Sequence, residues 1–313
     1  MNITIFDSWN GKFSKDFVDH WKSLGHDVRF NPKWEEAIGA DLNFFYQADN
    51  GAIEGTKNHK LTGKTFVQCV DIEVWAGQPY AVDWTKVDGV LFMARHIKDE
   101  VESHIQFPQN VRKIIIKPGI DTAKWTLKPE RDPKSPIKKL AYVVGDGRIW
   151  DVKRLDIAFQ VLYDLLRAKD GWLYQLHVRG TYSSHVQYNS YCRYLEKALG
   201  ISDFVIWYES RVEDLNKWLD DKDFFILPST KEAFSYATAE AMCKGIKPII
   251  NNWESSKETW GKYVCNSPCE MAERIIEKEN KPEEYRQYIL DNFSQERYFK
   301  EIDAFMLGGE ANG

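Results

Sequence analysis

The sequence predicts an α/β protein that contains two doubly wound, parallel-sheet domains. Short apolar strands alternate with longer amphipathic helices along most of the 313 residues. The alternation stops in a charged segment that holds Pro129, Pro133 and Pro136, and it starts again afterwards. Alternating strands and helices form parallel sheets with helices on both faces, and chains of this length usually divide into more than one domain.

The elements before the break begin with Asn2–Phe6, whose β-branched and aromatic residues predict a strand. Residues 13–24 then carry apolar side chains at helical spacing, and Gly25 ends that helix. Apolar runs predict five further strands and an amphipathic stretch predicts one more helix: strands at 28–30, 42–46, 65–70, 89–92 and 114–116, and the helix at 97–105.

The elements after the break repeat the same pattern. Strands are predicted at 140–144, 173–178, 204–207, 224–227 and 249–251, and helices at 155–168, 186–199, 212–219 and 236–244, with a mostly helical tail at 269–306. In doubly wound sheets, ligands bind at the carboxyl ends of the strands. We therefore expect a ligand site in a cleft between two facing domains.

Composition narrows the class of protein. The formal net charge is -5, from 42 Lys and Arg against 47 Asp and Glu, which argues against a uniformly basic nucleic-acid binder. The five cysteines are scattered and odd in number, which indicates free thiols in a reducing compartment. No apolar run approaches the roughly 20 residues of a membrane span, and the first residues do not resemble a signal peptide. We expect a cytoplasmic protein.

The most informative segment is 228–245, in which a buried strand leads through a short loop into a helix. Glu232 lies in the loop and Glu240 on the helix, with seven residues between them. The amides of residues 233–235 lie at the start of the helix, where a phosphate or an electron-rich sugar oxygen binds well. Two carboxylates beside them can accept hydrogen bonds from vicinal hydroxyls. The segment predicts a nucleotide-sugar site.

The same segment resembles the Glu-x7-Glu signature of the retaining GT-B glycosyltransferases, especially those of family four. Nine residues match the family pattern: Pro228, Ser229, Glu232, Phe234, Glu240, Ala241, Met242, Gly245 and Pro248. Ser235 stands where the family usually has Gly, and Cys243 where it has Ala. The serine is expected to add a side chain beside the donor sugar.

Other landmarks follow the order of the family. Residues 117–121 resemble the segment that ends its first domain, although the usual Asn is missing. Gly147 and Arg148, followed by Lys153, are similar to the Gly-Arg and Lys pair at the start of the second domain. Residues 293–297 resemble the start of the last helix.

The resemblance implies the GT-B fold, in which two Rossmann-like domains face a central cleft and a C-terminal helix returns to the first. Four parts are expected: the acceptor-side domain at 1–120, a linker at 121–139, the nucleotide-sugar-binding domain at 140–290, and the returning helix with its tail at 291–313.

The resemblance also implies roles for single residues. Glu232 would bind the hydroxyls of the donor sugar, helped by the backbone of Ala233, Phe234, Ser235 and Tyr236. Glu240 would bind the ribose hydroxyls. Arg148 and Lys153 would hold the diphosphate and stabilise its charge as the glycosidic bond breaks, with Arg154 as a third candidate cation. Members of the family need no metal or other cofactor, and they retain the anomeric configuration by front-face attack.

Two residues of the first domain complete the expected site. Gly11 follows the first strand, where the family carries a glycine-rich loop near the donor phosphates. Asp71 follows the strand at 65–70, where related enzymes often place a His or His-Asp that faces the reacting sugar. Val70 stands in the place of that His, so Asp71 is the candidate catalytic residue there.

Several alternatives remain open. A UDP- or GDP-sugar is the favoured donor, and a glycan, lipid or small molecule is the expected acceptor. A basic run at 112–139 supports transfer to a hydroxymethylated base in DNA, or contact with an anionic membrane surface. The changes at Ser235 and at the missing His support an inactive nucleotide-sugar-binding scaffold. A nicotinamide enzyme is disfavoured, because Trp150 replaces the third glycine of the dinucleotide fingerprint.

Overall fold

The chain divides into two compact units, each built around one parallel sheet. The computed structural model describes residues 1–11, 14–130, 135–182, 185–208, 214–277 and 279–308, and of residues 145–147 only the backbone. The helix starts predicted at residues 13 and 212, and part of the basic run, lie outside the described residues. Unit 1 is Met1–Gly119 with Gln295–Gly313, and unit 2 is Ile120–Ser294.

Unit 1 contains a six-stranded sheet covered by helices. Its strands are β1 (Asn2–Phe6), β2 (Asp27–Phe30), β3 (Leu42–Phe45), β4 (Lys64–Cys69), β5 (Gly89–Phe92) and β6 (Arg112–Ile115). Its helices before the first crossing to unit 2 are α1 (Lys15–Ser23), α2 (Trp34–Ala37), α3 (Asn50–Asn58), α4 (Ile72–Trp75) and α5 (Arg95–His104). Short 3-10 turns span Gln78–Ala81 and Trp84–Lys86.

The strands of unit 1 are all parallel and lie in the order β2-β1-β3-β4-β5-β6. All four residues of β3 and all four of β5 are buried. Strands with helices on both faces have no solvent-facing side, so they are apolar along their whole length rather than in alternation. The order reverses between β1 and β3, as in other doubly wound sheets.

Unit 2 contains the second six-stranded sheet. Its strands are β7 (Ile137–Ile149), β8 (Leu173–Tyr182), β9 (Val205–Tyr208), β10 (Phe224–Leu227), β11 (Lys247–Asn251) and β12 (Val264–Cys265). Its helices are α6 (Leu155–Arg167), α7 (Val186–Ala198), α8 (Leu215–Leu219), α9 (Tyr236–Cys243), α10 (Ser256–Trp260), α11 (Pro268–Ile276) and α12 (Pro282–Phe293), with 3-10 turns at Asp151–Lys153, Ser202–Phe204 and Gly261–Tyr263.

The parallel sheet of unit 2 has the order β12-β11-β10-β7-β8-β9. This is the Rossmann order, with a reversal between β7 and β10. Successive residues of β7 face opposite sides of the sheet: Leu140 and Tyr142 join one core cluster, and Ala141 joins the other. The predicted architecture of two doubly wound sheets is confirmed.

The last helix, α13 (Gln295–Met306), belongs to unit 1 although it follows unit 2 along the chain. The Asp303 carboxylate hydrogen-bonds to Trp21 Nε1 and to His20 Nε2, both at 2.8 Å, and Phe299 stacks on His20 with ring centroids 4.1 Å apart. The chain enters unit 2 at Ile120 and leaves it after Ser294. These two ends of unit 2 are joined, because the Ile120 amide donates to the Phe293 carbonyl at 2.9 Å.

Two local features differ from the expectations. The sequence predicts that β7 ends at residue 144, but it runs to Ile149, because β8 continues beside it as far as Tyr182 across a register shift. The expected linker at 121–139 begins with residues that pack into unit 2. Trp125 is only 6% exposed and joins the core cluster that contains Phe225.

Candidate functional site

The site of unit 2 lies where its strand order reverses. Open α/β sheets bind ligands outside the carboxyl ends of the strands at such a point. Here β7 leads into the turn Asp151–Lys153, and β10 leads into the loop at 228–235. The Thr230 amide donates to the Val152 carbonyl at 3.0 Å, so the two connections touch. The predicted donor residues of unit 2 are therefore grouped at the ligand-binding edge of the sheet.

Glu232 is held firmly in the loop after β10. Its side chain is 8% exposed, and its Oε1 accepts hydrogen bonds from Lys153 Nζ at 2.6 Å and from Ser229 Oγ at 2.7 Å. Trp253 Nε1 donates to the Glu232 carbonyl at 3.0 Å. Among the residues that the structure describes, none donates to Oε2. One carboxylate oxygen is thus fixed by the protein, and the other can accept from a ligand.

Glu240 lies on α9 and has different surroundings. Burial raises the pKa of its carboxyl from 4.5 to about 7, although the positive charges of Lys124 and Arg179 lower it. No side chain in the described ranges hydrogen-bonds to this carboxyl. A desolvated carboxylate without donors is costly, and such groups are common where a ligand supplies the missing hydrogen bonds.

Ser235 begins α9 as its N-cap residue. Its Oγ accepts from the Thr238 amide at 3.4 Å and from Thr238 Oγ1 at 2.8 Å. In the structure the hydroxyl of Ser235 caps the helix. Its expected position beside the donor sugar stays a prediction. Ala233 and Phe234 are buried just before the cap, and the Tyr236 ring packs edge-on against Phe234 with centroids 5.2 Å apart.

The three predicted cations have different surroundings. Lys153 contacts the predicted donor carboxylate Glu232 directly. Arg154 makes three hydrogen bonds to Asp156: from Nε to Oδ1 at 3.0 Å, from Nε to Oδ2 at 3.3 Å and from Nη2 to Oδ2 at 2.8 Å. Its guanidinium is thus committed to that carboxylate. Arg148 is exposed on the outer part of β7, beside Thr181 of β8.

Gly11 lies in a loop organised by Asp7 at the carboxyl end of β1. Gly11 has φ of +85°, which favours glycine, and its amide donates to Asp7 Oδ2 at 2.9 Å. The same carboxylate accepts from the Trp9 amide at 2.7 Å and from Ser14 Oγ at 2.5 Å. The buried Asp7 therefore fixes the loop in which the predicted glycine sits.

Asp71 caps the short helix α4, because its Oδ1 accepts from the Ile72 amide at 2.6 Å. Beside it lies Glu73, which follows the same strand in the sequence but was not among the predicted site residues. Glu73 is 3% exposed, and its carboxylate accepts from the amides of Val70 and Asp71. Burial, with a smaller contribution from the charge of Asp71, raises the pKa of Glu73 to about 7 despite these hydrogen bonds.

Three further residues of unit 2 around the carboxylates were not predicted: Lys124, Arg179 and Trp253. Arg179 is 6% exposed and donates from Nη1 to the Val144 carbonyl at 3.0 Å. A cation directly after the predicted strand at 173–178 is a signal that could have identified it. Trp253 lies 21 residues from Glu232, and no periodicity or motif joins the two.

The basic run at 112–139 makes many contacts within the chain. Four of its described cations lie over aromatic rings or against carboxylates: Arg112 over Phe305 at 4.7 Å, Lys138 over Trp172 at 4.2 Å, Lys113 with Glu102 at 2.7 Å and Lys139 with Asp221 at 2.6 Å. These contacts weaken the support for a polyanionic acceptor, because the charges already have partners.

The described part of the chain offers neither a membrane span nor a metal centre. Of the helices in the described ranges, none is long and apolar enough to cross a membrane. In that same part of the chain, no group of three or more His, Cys, Asp or Glu side chains is arranged to hold a metal ion.

Comparison with protein families gives one match. A profile described as family 4 glycosyltransferase in conflict systems matches residues 89–291, well over half of the chain. The match covers the predicted donor residues of unit 2 described above. No curated protein sequence matches the chain significantly.

Solved structures show the fold. Sucrose-phosphate synthase from Thermosynechococcus elongatus superposes with a TM-score of 0.76 at 12% identity, over 98% of this chain and 98% of that one. Anabaena HepE in complex with UDP and glucose gives 0.75 at 12%, over 99% and 100%. S. aureus TarM, in complex with fondaparinux, alpha-GlcNAc-glycerol and UDP, gives 0.64 at 12%, over 83% of this chain but only 54% of TarM. All three likenesses identify the GT-B fold.

Proposed function

This chain belongs to the family 4 glycosyltransferases in conflict systems, and from that premise we propose that it transfers a sugar from a nucleoside diphosphate sugar to a hydroxyl acceptor, with retention. The observation that carries the proposal is a pair of carboxylates, one in the loop before α9 and one on α9 itself. Glu232 offers one oxygen beside a lysine, and Glu240 is desolvated and has no hydrogen-bond donor within the described part of the chain.

The geometry supports a division of roles. Glu232 Oε2 accepts from hydroxyls of the donor sugar, and Glu240 accepts from the ribose hydroxyls. Lys153, beside Glu232, stabilises the diphosphate as negative charge develops on it. Arg148 is exposed on β7, shortly before the turn that carries Lys153, and is the second cation of the diphosphate site. Arg154 has a smaller role because Asp156 already binds its guanidinium.

The proposed reaction needs no metal and no protein nucleophile. The bond between the sugar C1 and the phosphate oxygen breaks, and its electron pair stays on the diphosphate. The acceptor oxygen bonds to C1 on the same face, and its proton passes to the leaving phosphate oxygen. Because departure and attack share one face, the anomeric configuration is retained. Asp71, at the carboxyl end of β4, is the candidate to bind the acceptor or the reacting sugar.

The choice of donor is guided by the structural neighbours. The HepE complex contains UDP and glucose, and the TarM complex contains UDP, so UDP-sugars are the first donors to test. GDP-sugars come next. The acceptor is proposed only as a hydroxyl compound, which a screen with the identified donor would define.

The test is a thermal-shift panel of UDP-, GDP-, ADP- and dTDP-sugars on the wild type, on Glu240→Ala and on Glu283→Ala. A ligand at 100 times its Kd stabilises the folded state by about 2.7 kcal/mol, which raises Tm by several degrees. We expect one donor to shift the wild type and the exposed control Glu283→Ala, but not Glu240→Ala. NMR of the product of that donor then tests retention.

Two results would contradict the proposal. If no nucleotide sugar shifts the wild type at saturating concentration, the site binds another ligand. If a donor shifts Glu240→Ala as much as the wild type, the ribose does not lie at Glu240. Binding without turnover on any acceptor would favour the inactive scaffold instead.

A further inference from the structure

The loop that carries Glu232 is supported from both sides. On the side of β7, the Val152 carbonyl accepts from the Thr230 amide at 3.0 Å, and Lys153 binds the Glu232 carboxylate. On the side of β11, Asn251 Nδ2 donates to the Ser229 carbonyl at 3.2 Å. The two neighbouring connections therefore hold the loop at its start and its middle.

Trp253, from the segment after β11, also holds the middle of the loop. Its indole N–H donates to the Glu232 carbonyl at 3.0 Å, and the ring is 8% exposed. The Trp253 amide in turn donates to Ser256 Oγ at 3.1 Å, which fixes the segment that presents the indole. One short segment, 251–253, thus binds the carbonyls at both ends of the turn 229–232.

This support determines where the carboxylate points. Oε1 is occupied by Lys153 and Ser229, so the rotation of the carboxyl group is fixed and Oε2 is the oxygen left for a ligand. A hydrogen-bonding group contributes most to recognition when its position is set before the ligand arrives. Shifting the backbone of Glu232 would move Oε2 away from the position that the sugar hydroxyl requires.

We propose that Trp253, together with Asn251, is a positioning residue for the donor sugar that acts through Glu232. The inference rests on the proposed function, and it assigns to the segment after β11 a role that no sequence motif indicates. Because Glu232 contacts the sugar and not the nucleotide, Trp253 contributes to binding of the nucleotide sugar and not to binding of the free nucleoside diphosphate.

The experiment compares Kd values by calorimetry for UDP-glucose against UDP and for GDP-mannose against GDP. Trp253→Phe keeps an aromatic ring and removes the N–H. Loss of one hydrogen bond to a buried carbonyl is expected to weaken nucleotide-sugar binding about five-fold and to leave the free diphosphate unchanged. Asn251→Ala is expected to act in the same direction, which provides a second variant if the first folds poorly.

A matched control and a second background separate positioning from simple destabilisation. In Trp218→Phe the lost N–H has no hydrogen-bond partner among the described residues, so nucleotide-sugar binding is expected to be unchanged. In a Glu232→Gln background, Trp253→Phe is expected to weaken nucleotide-sugar binding further by less than two-fold, because the carboxylate through which it acts is absent.

The outcomes are distinguishable. Equal weakening of sugar and free diphosphate, or no weakening by either variant, would overturn the positioning role while leaving the proposed function intact. A full five-fold loss in the Glu232→Gln background would also overturn it. If the wild type binds neither nucleotide sugar nor free diphosphate, the proposed function fails and the positioning role fails with it.

Discussion

The two carboxylates of the site are prepared for binding in opposite ways. Oε1 of Glu232 accepts hydrogen bonds from Lys153 and Ser229, so the position of the carboxylate is fixed before a ligand arrives. Glu240 is half-buried, and the charges of Lys124 and Arg179 only partly compensate for its desolvation. A ligand that brings hydroxyl donors to Glu240 would offset that desolvation, which makes the residue a sensitive reporter of occupancy.

Glu240 is expected to make stability depend on pH in a defined window. The pKa of its carboxyl is 4.5 in the unfolded chain and about 7 in the folded one, so the folded state favours the protonated form. The stability of the folded state that this carboxyl contributes is fully present below pH 4.5 and is lost as the pH rises through 7. Glutamine does not ionise, so Glu240→Gln does not lose stability as the pH rises. Glu240→Gln is therefore expected to be more stable than the wild type by about 1–3 kcal/mol at pH 8, with the difference shrinking toward pH 4.5.

The measurement is urea unfolding of both proteins between pH 4.5 and 8.5. Glu73 has a similarly raised pKa, but it is present in both proteins and cancels in the difference. Glu283→Gln, at an exposed position, serves as the control and should follow the wild type. A stability difference between Glu240→Gln and the wild type that stays constant over this range would show that Glu240 does not titrate as expected.

At the scale of the element, the start of α9 explains how the family pattern tolerates a serine. The hydroxyl of Ser235 satisfies the Thr238 amide, one of the donors that the first turn of a helix leaves without a partner. A side chain at this position therefore stabilises the helix on which Glu240 lies. Glycine, the usual residue of the family, is also tolerated as an N-cap, whereas alanine is not.

Substitutions of Ser235 test this account. Ser235→Ala is expected to cost about 1 kcal/mol, or about 2–4 °C in Tm, whereas Ser235→Gly costs only a few tenths of a kcal/mol. Both should bind the nucleotide sugar within two-fold of the wild type, because the hydroxyl faces the helix. If Ser235→Gly binds several-fold more tightly, the serine obstructs the donor after all.

The elements also show what the sequence could and could not predict. Strand–helix alternation was sufficient for both sheets, because apolar runs in fully covered strands are a strong signal. The extension of β7 to Ile149 was hidden by Gly145 and Gly147, which are typical of turns. The contact of Trp253 with Glu232 depends on β11 lying beside β10, and pairing between distant strands leaves no mark in local periodicity.

At the scale of the whole molecule, each unit has a side-chain contact across its own strand reversal. In unit 1, Ser8 Oγ donates to Gln47 Oε1 at 2.8 Å across the ends of β1 and β3. In unit 2, Lys153 Nζ donates to Glu232 Oε1 at 2.6 Å across the ends of β7 and β10. The two carboxylates assigned to the sugar and the ribose, Glu232 and Glu240, lie in unit 2. We therefore expect donor affinity to depend little on the stability of unit 1.

Helix α13 allows a test of whether donor affinity depends on the stability of unit 1, since this helix belongs to unit 1 and lies far from Glu232 in the chain. Asp303→Ala leaves the indole N–H of Trp21, which is 0% exposed, without its acceptor. An unsatisfied buried donor costs about 1–3 kcal/mol. The exposed pair of Arg297 and Glu301 provides the control, because Glu301→Ala should cost less than about 0.5 kcal/mol.

We expect Asp303→Ala to lower the urea midpoint of unfolding and to speed proteolytic removal of α13, while the Kd for the nucleotide sugar stays within two-fold of the wild type. Trp21→Phe combined with Asp303→Ala should cost less than the sum of the two single changes, because both remove the same hydrogen bond. A large loss of donor affinity in Asp303→Ala would mean that the returning helix supports the donor site as well as unit 1. The separation of donor binding from the stability of unit 1 would then be wrong.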